Sequence, residues 1–159
     1  MTPLQQLTEL DWQIRCANTR MRPDYVVKTK FSDKTANGLT KAIIAWINLN
    51  GYQAERISTT GRWIDNSKIV TDVLGNRKKI GSGKYIKGTG TNGSADISAI
   101  IKSLNGTVIP WKIEVKMKDK QSEAQKRYEE HIMKAGGHYS IVHNFDEFME
   151  QYNFLLQNK

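Results

Sequence analysis

Cysteine is nearly missing from this chain of 159 residues: Cys16 is the only one. A lone thiol excludes an internal disulfide framework and any zinc site built on cysteines. No run of about 18 apolar residues occurs, which excludes a membrane-spanning helix. The opening MTPLQQLTELDW carries acids and no apolar h-region, so a secretory signal is not expected and a cytoplasmic location is. No internal repeat is visible. Acids are also in short supply, with 16 Asp and Glu against 24 Lys and Arg, a formal net charge of +8. Such a surplus favours a polyanionic partner, nucleic acid first among them.

With 38% hydrophobic and 9% aromatic residues the chain can build a real core, and its length suits one domain. Residues 1–31 show a moderate helical pattern in Leu4, Leu7 and Ile14 and read as an accessory helical arm. From residue 32 to 159 the pattern is that of the main domain. Leu39, Ile43, Trp46, Ile47 and Asn50 recur at helical spacing, and Gly51 follows where a helix ends. Tyr52 to Ile57 reads as a strand bounded by Ser58, Thr59, Thr60 and Gly61.

Residues 58–93 form a basic, glycine-rich insertion. It holds Arg62, Lys68, Arg77, Lys78, Lys79, Lys84 and Lys87 against only Asp65 and Asp72. Ser67 to Leu74 alternates like a strand and Gly75-Asn76 signals a turn, so the insertion reads as a hairpin. Its cations suit a phosphate backbone, with Trp63 or Tyr85 available to stack on a base. Two strings here imitate nucleotide motifs and fail. Gly83-Lys84 lacks both the upstream glycine and the following Ser or Thr of a phosphate loop. Gly88-Thr89-Gly90-Thr91-Asn92-Gly93 matches G-x-G-x-x-G but is followed by an alternating segment, where a dinucleotide fingerprint must open a helix.

Asn105-Gly106 is the strongest hairpin signal in the chain and joins two strands. The first carries Asp96 at its front. The second, Val108 to Met117, sets Ile113, Val115 and Met117 on one side and Lys112, Glu114, Lys116 and Lys118 on the other. Ser122 and Gln125 make a capping-box pattern for a helix with Ala124, Tyr128, Ile132 and Ala135 on one stripe, closed by Gly136-Gly137. His138 to Val142 is a strand, and Asn144 caps a final helix with Phe148, Met149, Tyr152, Leu155 and Leu156 inward. His131, His138 and His143 lack metal spacing.

Asp96, Glu114 and Lys116 are the residues that can do chemistry. Hard divalent cations take carboxylate, carbonyl and water oxygens, so Asp96 and Glu114 with the carbonyl of Val115 form a candidate Mg²⁺ or Mn²⁺ site. A lysine beside it can stabilise phosphoryl charge or orient an attacking water. Geometry sets a condition on this site. A simple two-residue turn at Asn105-Gly106 places Asp96 opposite Val115, on the wrong face for Glu114. A shared site therefore needs a bulge or a longer turn between residues 102 and 112, and Pro110, which cannot donate to a ladder, is a natural place for it.

The ordered combination of Gly88-x-Gly-x-x-Gly-Ser-Ala-Asp96, a hairpin, Trp-Lys-Ile-Glu114-Val-Lys116, Gln121-Ser-Glu-Ala-Gln125 and Ala-Gly-Gly-His-Tyr-Ser-Ile-Val closely resembles the PD-(D/E)XK nuclease superfamily. Within it the chain is most similar to the VRR-NUC and Holliday-junction-resolvase-like group of phages and mobile elements. The resemblance covers about residues 35 to 150. It implies an α/β (α+β) fold with a restriction-endonuclease-like core, a central mixed sheet of about four strands flanked by helices, and the basic hairpin as an insertion. It also implies a metal-dependent DNA endonuclease acting in the host cytoplasm, on structured or branched DNA, with a homodimer as a further expectation. Metal ligands are implied at Asp96 and Glu114, the catalytic lysine at Lys116, and an orienting glutamine at Gln125. Departures are Ala95 where proline is usual and no acid in the helix after Ala36, which leaves Asp33 or Glu55 as candidates for a third carboxylate. A second class of reading is a non-catalytic nucleic-acid-binding module using the same basic surface.

Overall fold

Apolar periodicity sets the order of elements. The computed structural model describes residues 1–58, 61–88 and 90–158. Thr59 and Thr60, read above as a strand boundary, and Thr89 of the glycine-rich string lie outside the described residues. In chain order the elements are α1 (Pro3–Ala17), a 3-10 turn at Pro23–Tyr25, α2 (Ala36–Leu49), β1 (Gln53–Arg56), β2 (Arg62–Asp65), β3 (Lys68–Thr71), β4 (Arg77–Ile80), β5 (Gly83–Ile86), β6 (Ile97–Lys102), β7 (Val108–Val115), α3 (Glu123–Lys134), β8 (His138–Val142) and α4 (Phe145–Asn158). The fold is mixed α+β, built on a four-stranded mixed sheet in the order β1-β6-β7-β8. β1, β6 and β7 run antiparallel, while β7 and β8 are parallel and linked by the α3 crossover.

One unit comprises residues 1–57 and the chain from Gly93 onward. Alternation along β6 and β7 buries Ile97, Ala99 and Ile101 with Ile109, Trp111, Ile113 and Val115 on one sheet face. That face packs with Leu39, Ile43 and Ile47 of α2 and with Phe145, Phe148 and Leu155 of α4. Trp111 stacks on Phe148 at 5.7 Å between ring centroids, and its indole Nε1 donates to Ser140 Oγ. The helical arm reading for residues 1–31 needs correction. Leu7 is fully buried in this same core and Leu4 packs against it, so α1 is part of the core. Its capping box, closed by Thr2 and Gln5, secures the start.

The other sheet face carries the polar row and lies under α3, which contacts β8. No residue of α3 is fully buried, because only its half-exposed stripe meets the sheet. Among the described residues, no helix is long and apolar enough to cross a membrane.

The connection between β6 and β7 decides the register. Gly106 N donates to Ser103 O at 2.9 Å, and Ser103 N donates to Thr107 O at 2.9 Å. Gly106 has φ of +92°, which glycine alone adopts freely. This is a three-residue loop closing on a glycine bulge, one residue longer than the simple turn. Ile97 consequently pairs with Ile113, and Ile100 with Pro110. The extra residue expected between 102 and 112 is present. Its place is Gly106, and Pro110 stays in register instead of forming the bulge.

The second unit, residues 58–92, is a long β-ribbon. Arg62 pairs with Ile86 and Thr71 with Arg77, one continuous register through two short ladders interrupted near Gly81. Its turn repeats the device at Gly106: Gly75 N donates to Asp72 O, Asp72 N donates to Asn76 O, and Gly75 has φ of +83°. Alternation puts Arg62, Lys68, Lys78 and Lys84 on one side of the ribbon and Arg77 and Lys79 on the other; Lys87 follows the last strand.

Candidate active site

Asp96 stands immediately before β6, and the β6–β7 register continued by one residue sets it beside Glu114. Its Oδ2 accepts from the backbone N–H of Val115 at 2.9 Å, which ties the carboxylate to β7 at the position between Glu114 and Lys116. Its own carbonyl accepts from Ile57 N at 2.8 Å, joining the end of β1 to the site.

Glu114 is buried, with 3% of its surface exposed. Its Oε1 meets the Lys116 ammonium at 3.0 Å and accepts from Gln125 Nε2. Its Oε2 is buried with no hydrogen-bond partner. Burial pushes the Glu114 carboxyl above its ordinary pKa; the hydrogen bond from Lys116 opposes this, and the charge of Asp96 adds to it. An unpartnered carboxylate oxygen in such surroundings is costly, and sites of this kind are where a cation or a reacting group belongs.

Lys116 reaches the group from the same side of the chain as Glu114, two residues on. Its backbone N–H donates to Val142 O at 3.0 Å, so the strand pairing with β8 persists to this residue. Its ammonium also donates to Gln125 Oε1 at 3.1 Å.

Gln125 performs two tasks at once. As the third residue of α3, its Oε1 accepts from Ser122 N at 2.9 Å while its own N–H donates to Ser122 Oγ at 3.3 Å, a complete capping box. The same side chain bridges Lys116 and Glu114. Gly93 sets where this helix start can lie. It has φ of +81°, and a Cβ there would fall 2.5 Å from Ala124 C and O and 2.8 Å from Gln125 N. The glycine-rich string therefore ends in a close backbone approach to α3, which explains its last glycine without any phosphate cradle.

Asp96, Glu114, Lys116, Gln125 and the backbone of Val115 are thus brought together. Asp33 and Glu55 are not. Asp33 Oδ2 accepts from Phe145 N at 3.2 Å, serving the start of α4, and Glu55 is exposed on β1, opposite Ser98. Among the described residues, no group of three or more His, Cys, Asp or Glu is gathered as a metal cage. His143 pairs with Glu147 of α4 at 2.9 Å.

Two neighbours were not among the expected site residues. Lys112, two residues before Glu114, donates to Ser98 Oγ at 2.5 Å and extends the polar row. Its period-two spacing was the available signal. Tyr139 is 6% exposed, and burial followed by the Glu114 charge pushes its phenol far up. It neighbours Lys112 across the parallel strands, a pairing that sequence cannot supply.

The basic residues Arg62, Lys68, Arg77, Lys78, Lys79, Lys84 and Lys87 belong to the ribbon unit. Within it, only Lys79 has an acidic partner among the described residues, Asp65 at 3.0 Å. Compared with family profiles, curated proteins and solved structures, the chain matches none.

Proposed function

We propose that this chain is a divalent-metal-dependent deoxyribonuclease, hydrolysing phosphodiester bonds in the manner of the PD-(D/E)XK enzymes it resembles. The observation that carries the reading is the buried Glu114 carboxylate, with one oxygen engaged by Lys116 and Gln125 and the other, Oε2, without a partner.

The donor set fits a hard cation. Asp96, Glu114 and the Val115 carbonyl offer oxygen only, and Mg²⁺ is commonly held by one or two carboxylates while keeping several waters. When bound, Mg²⁺ or Mn²⁺ supplies concentrated positive charge at the phosphoryl oxygens. The chain's own residues do the rest. Asp96, anchored on the Val115 amide, keeps its carboxylate beside Glu114. Gln125 holds the Glu114 carboxylate in place from α3 and fixes the Lys116 ammonium with its other end. Lys116 presents a donor next to the carboxylates, where it stabilises charge developing on a phosphoryl oxygen or orients an attacking water. The ribbon's cations hold phosphates of the same polyanion and make binding salt-dependent.

The test is incubation with single-stranded, duplex and four-way-junction DNA, with Mg²⁺, with Mn²⁺ and with EDTA, beside Glu114→Gln. Metal-dependent cleavage that the variant loses supports the proposal. Tight binding with no cleavage under any metal supports the non-catalytic module instead.

A further inference from the structure

Trp63 and Tyr85 face each other directly across β2 and β5, so both rings project from the same side of the ribbon. They are 65% and 58% exposed. Each is seated on a glycine. A Cβ on Gly83 would fall 2.2 Å from Trp63 Cε2 and Nε1, and one on Gly61 would fall 2.4 Å from Tyr85 Oη. Glycine at these two points lets the rings settle onto the main chain, fixed from beneath and open to solvent above. Covering strand glycines with aromatic rings stabilises a ribbon by itself. By alternation the rings share their side with Arg77 and the Lys79–Asp65 pair, while Arg62, Lys68, Lys78 and Lys84 line the other side, so the ribbon as a whole offers two basic edges around an aromatic pair.

Both acids of the ribbon are already occupied. Asp72 accepts from Leu74 N, Asn76 N and Asn76 Nδ2 in the turn, and Asp65 accepts from Ser67 N and Lys79. Among the described residues, no acid pairs with Arg62, Lys68, Arg77, Lys78, Lys84 or Lys87. A second copy of this chain carries the same net charge of +8 and is repelled by this surface. A polyanion with flat apolar faces is complementary to it.

We propose that Trp63 and Tyr85 form a stacking platform for unpaired bases, so that the ribbon selects DNA carrying single-stranded nucleotides over continuous duplex. Bases inside a duplex have both faces covered by their neighbours; only an unpaired base offers a face to an aromatic ring, while Arg77 on the rings' side and the cations of the other side attract the phosphates of the flexible strand. The inference deepens the proposed function and rests on its DNA substrate, not on hydrolysis.

The experiment measures binding of the full chain, in EDTA, to a fluorescein-labelled oligothymidylate and to a blunt duplex with the same number of phosphates. Trp63→Leu is expected to weaken oligothymidylate binding roughly tenfold, with duplex binding changed by less than about twofold. Trp63→Phe keeps a ring on Gly83 and is expected to retain most of the affinity. Tyr85→Leu, at the other ring, is expected to repeat the leucine result. Circular dichroism confirms that each variant is folded. The proposal is overturned if both leucine variants bind oligothymidylate as wild type does, or if they lose oligothymidylate and duplex in equal proportion. Cleavage by wild type in Mg²⁺ is scored separately. A chain that discriminates single strands without ever cutting overturns the nuclease and leaves the platform standing; one that cuts while binding both forms alike does the reverse.

Discussion

Gln125 clamps Glu114 through its side-chain amide: Nε2 donates to Glu114 Oε1, while the amide oxygen accepts from the Lys116 ammonium and from the Ser122 backbone N–H. A residue that begins a helix therefore also orders two charged groups on a strand. The arrangement makes stability and site geometry separable by mutation.

Ser122→Ala removes the hydroxyl that caps α3 and is expected to cost about 1 kcal/mol of stability. The bridge from Gln125 to Glu114 and Lys116 is untouched, so kcat should stay near wild type. Gln125→Glu keeps an oxygen for the Ser122 N–H and suits a helix N-terminus, but it replaces the donor to Glu114 with a second carboxylate. It is expected to lower kcat by more than about tenfold. Thermal melts and a kcat against KM comparison check both, and equal loss of kcat in the two variants refutes the separation.

Glu114→Gln preserves shape and removes charge. Cleavage is expected to fall more than about 100-fold. The Glu114 pKa is raised in the folded chain, mainly by burial. The folded state thus holds this proton more tightly than the unfolded one, whose ordinary value is 4.5. Stability from the protonated carboxyl is complete below that value and is lost as pH rises through the folded pKa. At pH 7 in EDTA, Glu114→Gln should therefore melt above wild type, and the advantage should shrink on acidification through the same window. Differential scanning calorimetry across pH decides it; a variant melting below wild type at pH 7 contradicts the direction.

Removal of metal gives a companion measurement. Mn²⁺ at about 100 times its Kd stabilises a folded binding site by about 2.7 kcal/mol. Wild type should show a rise in melting temperature with Mn²⁺, whereas Asp96→Asn and Glu114→Gln should show little. A rise of the same size in all three places the ion elsewhere.

Gly93→Ala is expected to impair the site through the backbone. Its φ of +81° costs any other residue roughly 1–2 kcal/mol, and the new Cβ meets Ala124 and Gln125 main-chain atoms under 3 Å away. Gly51 has φ of +82° with nothing within 4 Å of where a Cβ would stand, so Gly51→Ala carries the conformational cost alone. Cleavage per folded molecule should drop at least about tenfold for Gly93→Ala and hardly at all for Gly51→Ala, since displacing a positioning group by about 1 Å suffices.

Lys78 lies on the ribbon without an acidic partner among the described residues, whereas Lys79 is joined to Asp65. Lys78→Ala should flatten the dependence of log K on log salt by about 0.9 for each phosphate no longer neutralised. Lys79→Ala should flatten it less. Fluorescence anisotropy titrations over a salt series check the order.

Much of this was legible in residue order. Val108 to Met117 alternates cleanly, and β7 forms there with Ile113 and Val115 buried. Ser122 and Gln125 announced the capping box that starts α3. The condition on Asp96 and Glu114 was legible only as a requirement for one extra residue. Pro110 was the wrong place because a proline can occupy a ladder position whose N–H is not needed, while Gly106 alone in that loop tolerates positive φ without cost. The role of α1 was illegible: a modest apolar stripe looks the same on a free arm as on a core helix, and only its partners bury Leu7.

Residue order by itself determined which segments become helix or strand, which residues share a face, and that the surplus charge gathers in one insertion, because those properties repeat over two to four neighbours. Tertiary structure alone decided that Asp96 meets Glu114, that Gln125 reaches both Glu114 and Lys116, and that one oxygen of Glu114 is left buried without a partner. Those are properties of pairs brought together by register and helix docking, and a one-residue change in loop length reverses the register.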